Sequence, residues 1–129
     1  MRYDEFLAEV REVGEYEDQN EAEQVTRAVF SVLATRLPAT TAEHLAAQIP
    51  EPLNEGLRPG DQLEAEPFGV EEFYRRVAEQ TGARPLTAQQ DAGAVLSTVA
   101  AAVSGGELNQ LLSHLPAGYA TMFGKPELS

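Results

Sequence analysis

The sequence predicts an all-α fold: a helical bundle of two similar three-helix repeats related by a pseudo-twofold axis. Three observations carry that expectation. Apolar residues recur at spacings of three and four, the period of one helix face rather than the alternation of a strand. The chain matches itself when it is shifted by 66 or 67 residues. Between the matching stretches, residues 58–69 are rich in turn formers and acids and read as a linker.

The first helix is marked by Tyr3, Phe6, Leu7, Val10 and Val13, mirrored by Val70, Phe73, Tyr74 and Val77. At a shift of 67, Glu5-Phe6 falls on Glu72-Phe73 and Val10 on Val77. The second helix carries Ala22, Val25, Val29, Val32 and Leu33, mirrored by Ala88, Ala92, Val95, Val99 and Val103, and at a shift of 66 residues 28–34 fall on 94–100. Asn20 with Glu23, and Thr87 with Gln90, read as capping boxes that satisfy the free amides at the starts of these helices. The third helix opens at Thr40 with Glu43, or between Ser104 and Glu107, and stops before Pro50 or Pro116 because a residue preceding proline leaves the helical region. Each proline then fits the first position of a short fourth helix ending near Gly56 or Gly124. Residues 1–129 are expected to form a single domain, with internal repeats 3–57 and 70–123. The second helices should be the most buried, Val25, Val29 and Val32 facing Val95, Val99 and Val103, with Gly93 allowing close approach.

Several motifs together carry a resemblance. Phe6 and Val10 mark an aromatic-acidic first helix, followed by an Ala-Val core helix and the stop Leu45-x-x-Gln48-Ile49-Pro50. A linker leads to Gly69-Val70-Glu71-Glu72-Phe73, and a second round closes at Leu111-x-x-His114-Leu115-Pro116. Over residues 3–123 the chain resembles the bacterial domain-of-unknown-function family 2267, departing from its usual pattern at His114 and Gly69. The resemblance implies a duplicated all-helical domain and supplies no reaction and no catalytic residues.

Composition removes whole classes of chemistry. With no cysteine there are no disulfides, thiolate zinc sites, iron–sulfur ligands or thiol nucleophiles. Twenty-one acids against nine bases give a net charge of −12, which opposes binding to nucleic acid through phosphates. The longest apolar stretch, residues 92–103, is broken by Gly93, Ser97 and Thr98 and falls short of the roughly 20 residues that span a bilayer. The opening MRYDEFLAEV lacks the features of a signal peptide, so no membrane partner and a cytoplasmic location are expected.

Candidate sites are few. Gln48 and His114 stand at equivalent places and present polar groups either to a binding groove or to free carbonyls at their helix ends. With Tyr119 they are the candidate binding residues, at the mouth of a pocket between the repeats. No metal and no cofactor are expected. Neither His44 nor His114 has a carboxylate three residues before it, and the acidic run from Glu15 to Glu23 lacks the glycine and final acid of a calcium loop. Gly118, Gly124 and Lys125 fail the spacing of a phosphate loop, and no serine sits in a nucleophile elbow. Glu5, Glu9 and Glu12 share a helix face that reads as solvated. Charge is uneven, net −10 over residues 1–66 and −2 over 67–129. Two function classes fit: a non-catalytic protein-interaction or regulatory module that binds a protein partner or itself, and, as the alternative, a small-ligand-binding domain or weak enzyme with a pocket between the repeats.

Overall fold

The computed structural model describes residues 1–58 and 65–124. Positions 59–64 of the expected linker, and Lys125 of the rejected phosphate loop, lie outside the described residues. Among the described residues there are six α-helices, two 3₁₀ helices and no strand. The helices are α1 (Tyr3–Gly14), α2 (Gln19–Arg36), α3 (Ala39–Ala46), α4 (Val70–Thr81), α5 (Pro85–Ala102) and α6 (Gly105–Leu112). The 3₁₀ helices are Leu53–Leu57 and Ala117–Phe123. Lengths match in order: α1 and α4 have 12 residues each, α2 and α5 have 18, α3 and α6 have 8. None of these helices is long and apolar enough to cross a membrane.

Helix faces follow the apolar period, but several helix starts differ from those expected. Phe6, Leu7 and Val10 of α1 are buried while Glu5, Glu9 and Glu12 face outward. Val13, at the edge of the stripe and in the last turn, is 48% exposed rather than packed. Helix α2 starts at Gln19 because Asp18 caps it, its Oδ1 accepting the Glu21 amide at 2.8 Å, so Asn20 lies inside the first turn. Helix α5 starts at Pro85, whose ring presets the helical φ at the first position, two residues before the expected cap Thr87. Thr40 likewise falls inside α3, which begins directly after Pro38. Ser104 does cap α6, its hydroxyl accepting the Glu107 amide at 3.2 Å. Pro116 immediately precedes its 3₁₀ helix, whereas Pro52 rather than Pro50 precedes the other.

Packing interlocks the two halves. Helix α1 lies against both α2 and α5, and α4 against both α5 and α2. The 3₁₀ helix at 53–57 backs α2, its counterpart at 117–123 backs α5, and α3 meets α6. Phe6 tilts against Phe30 at 6.0 Å between ring centroids, and Phe73 meets Tyr119 edge-on at 5.7 Å. Buried apolar residues from both halves form one cluster. Val25, Val29, Val32, Val95 and Val99 belong to it, while Val103 is only partly buried at the end of α5. Gly93 is not a close-approach point, because a Cβ there would meet nothing within 4 Å. The buried hydroxyls of Thr26 and Thr98 each donate to the carbonyl four residues back, at 2.8 Å, so the core holds them without an unmet donor.

Phe6 and Phe73 are both completely buried. Phe6→Ala and Phe73→Ala should each cost on the order of 3 kcal/mol in urea denaturation. Either variant unfolding within error of the parent would show that its helix does not close the core.

Candidate functional site

The turn after α1 builds the site. Glu15 caps the helix in the left-handed conformation, φ 56° and ψ 42°. The position 67 residues later is Gly82, which caps α4 at φ 77°. Glycine takes that conformation without penalty, whereas a residue with a side chain there costs roughly 1–2 kcal/mol. Arg11 braces the turn, its guanidinium donating to the carbonyls of Tyr16, at 3.4 Å, and Glu17, at 2.8 Å. Tyr16 thereby folds back over Gly14, where an added Cβ would overlap the tyrosine ring.

So placed, the Tyr16 hydroxyl reaches across to α5 and donates to Asp91 Oδ1 at 2.6 Å. Asp91 lies on the buried stripe of α5 with Ala88, Ala92 and Val95, and is 6% exposed. No ion pair among the described residues includes it. Its second oxygen has no hydrogen-bond partner there either, and is not sealed in the core. Burial raises the Asp91 carboxyl above the ordinary aspartate value; the Tyr16 bond opposes that rise and the charge of Glu21 adds to it. Burial, then the bond to Asp91 and its charge, hold the Tyr16 hydroxyl far above the usual phenol range. In this contact Tyr16 acts as a neutral donor.

A groove of about 400 Å³ opens over this pair. The first half contributes Tyr16, Glu21, Gln24 and Val25; the second contributes Gln80, Thr81, Ala83, Thr87 and Asp91. Among the described residues the lining holds two carboxylates and no Lys, Arg or His. Similar volumes lie along α1 and between α2 and α4, but their cations are engaged. Arg11 holds backbone carbonyls, and Arg75 and Arg76 pair with Glu72, Glu79 and Glu66. Glu72, bonded to both arginines, is held at about 2.

The structure does not bring Gln48, His114 and Tyr119 together. Gln48 donates its amide to the His44 carbonyl at 3.3 Å and lines a crevice between α3 and α6 of about 20 Å³, room for one water. His114 is exposed and does not line that crevice. Tyr119 is fully buried and donates to the Phe68 carbonyl at 2.8 Å. The same carbonyl accepts Arg36 Nε at 2.7 Å, and Arg76 covers the Phe68 ring at 4.1 Å. Tyr119 thus fastens the segment entering α4. Asp91 and Tyr16 were not among the residues the sequence singled out. An acid on the apolar stripe Ala88, Ala92, Val95 was the signal for Asp91, while Tyr16 is masked by the acidic turn around it.

Glu15→Gly should raise stability by about 1 kcal/mol by relieving the left-handed turn, and Gly14→Ala should lower it by displacing Tyr16. Thermal melts giving the opposite order would refute this geometry. The raised Asp91 carboxyl means that the folded chain binds this proton more tightly than the unfolded one. This group's contribution to stability therefore falls as pH rises through the window above its unfolded value. Asp91→Asn keeps an acceptor for Tyr16 and drops the uncompensated charge, so in urea at pH 7 it should be at least as stable as the parent. A loss beyond about 1 kcal/mol would mean that the carboxylate is favourably paired.

Comparison with known proteins gives one family. The model described as uncharacterized conserved protein (DUF2267) matches residues 3–122. No curated protein matches the chain. With the match running from the first residue of α1 to the second 3₁₀ helix, the chain belongs to the DUF2267 family.

Proposed function

We propose that this chain is a non-catalytic binding module whose ligand occupies the groove between its two halves. The single observation that carries the reading is the Asp91 side chain, which is almost wholly buried, lines that groove, and has one oxygen that bonds no group among the described residues. A volume of about 400 Å³ falls in the range of small-molecule sites, and polar groups converge there from both halves. The Tyr16 hydroxyl already engaged by Asp91, and a described lining without Lys or His, support binding over catalysis. Exposed large apolar side chains among the described residues are Met1, Val13 and Leu86, too few for an extensive protein-docking face.

The site is a product of duplication in this reading. Matched helix lengths and the paired contacts of α1 with α5 and of α4 with α2 support two repeats, 3–57 and 70–123, related by an approximate twofold axis within one domain. The groove departs from that symmetry, since Asp91 matches the apolar Val25 at a shift of 66. One half supplies Tyr16 and Glu21, the other the buried acid.

A fragment screen read by protein amide shifts tests the proposal. Hits should gather on Tyr16, Glu21, Thr81, Ala83, Thr87 and Asp91. Hits confined to the α3–α6 end or to the Arg75–Arg76 surface would contradict it.

A further inference from the structure

Resting on the groove reading above, we infer that the ligand is a small organic ammonium ion, with Asp91 as its counter-charge. A carboxylate this buried is ordinarily paired with a cation, because its desolvation is otherwise uncompensated. Among the described residues its one bonded partner is a neutral hydroxyl, and the neighbouring charge, Glu21, has the same sign. An ammonium group brings one positive charge and three donors and needs no donor in return. Residues whose side-chain oxygens can accept its protons line the groove: Asp91, Glu21, Gln24 and Thr87.

Two competing occupants fit less well. The starts of α2 and α5 lie at the groove, and helix starts attract anions through about half a unit of positive charge each. Asp18 already caps the first, and Asp91 lies six residues beyond Pro85, outside the turn where that effect acts. The two carboxylates therefore outweigh the partial charges of the two helix starts, of which the α2 start is already capped. A bare metal ion would need more hard ligands: no group of three or more His, Asp or Glu among the described residues could hold one. The volume exceeds an ion's, and the methyl groups of Val25 and Ala83 suit a short carbon chain.

The test is amide-shift titration at pH 7 and about 0.15 M salt, which screens diffuse surface charge. Three probes of one size are compared: n-butylammonium chloride, n-butanol and sodium butyrate. The ammonium probe should shift Thr81, Ala83, Thr87 and Asp91 to saturation, and the other two should not. Asp91→Asn should weaken it at least tenfold and Glu21→Gln several-fold. Glu9→Gln, which removes the same charge from the exposed face of α1, should bind as the parent does. The inference is overturned if n-butylammonium leaves those amides unmoved, if Asp91→Asn binds it equally, or if Glu9→Gln costs as much as Asp91→Asn. Should n-butanol or butyrate move the same amides instead, the groove remains a binding site and the cation assignment falls. Silence from all three probes, with no fragment hit at the groove, removes both.

Discussion

Each half of this chain covers only part of its own first helix. Helix α1 lies in the angle between α2 and α5, and α4 between α5 and α2, so each half's core is completed by the other's long helix. With Phe6 on Phe30 on one side and Phe73 on Tyr119 on the other, the buried residues run together as a single cluster. That shared burial supplies the hydrophobic stabilisation, roughly proportional to apolar area removed from water. It also fixes where the chain turns after α1. Because α1 is pinned against α5, the residues following Gly14 are delivered to the side of that helix, and a tyrosine two positions on reaches Asp91.

The site carries two local costs that the shared core must offset. One is the left-handed backbone at Glu15, where the second half has Gly82; the other is a buried carboxylate that pairs with no cation among the described residues. Costs of this kind, of order 1–3 kcal/mol each for backbone strain, persist only where surrounding packing over-determines them, and they cluster where ligands bind. Here both act on one contact. The strained turn aims Tyr16, and Tyr16 orients one oxygen of Asp91, a residue that lines the groove. The pair has no counterpart under the sequence shift, since Ala83 stands at the position matching Tyr16 and Val25 at the position matching Asp91.

The helical architecture was legible because burial imposes a period. Phe6, Leu7 and Val10, and Phe73, Tyr74 and Val77, stand where the three-and-four spacing places them. Helix starts were less legible, because more than one residue can satisfy the same free amides. Asp18 outcompeted Asn20, and Pro85 began α5 with no side-chain cap at all. Tyr119, read as a polar tip at a pocket mouth, has its ring inside the core and its hydroxyl spent on the Phe68 carbonyl. The site itself joins residues 75 positions apart through a side-chain bond, and no local spacing encodes such a contact. Asp91 alone left a trace, as a charge on an otherwise apolar face of α5.

Everything assigned to the groove turns on the state of one carboxyl group. Carbon-13 NMR of the Asp91 side-chain carboxyl, followed across an acid titration of the folded chain, observes that group directly. A midpoint above the ordinary aspartate value of 3.8, falling when an ammonium ion occupies the groove, is what a buried and uncompensated carboxylate requires. A midpoint at or below that value in the ligand-free chain would mean that Asp91 is solvated or already paired, and would contradict the account.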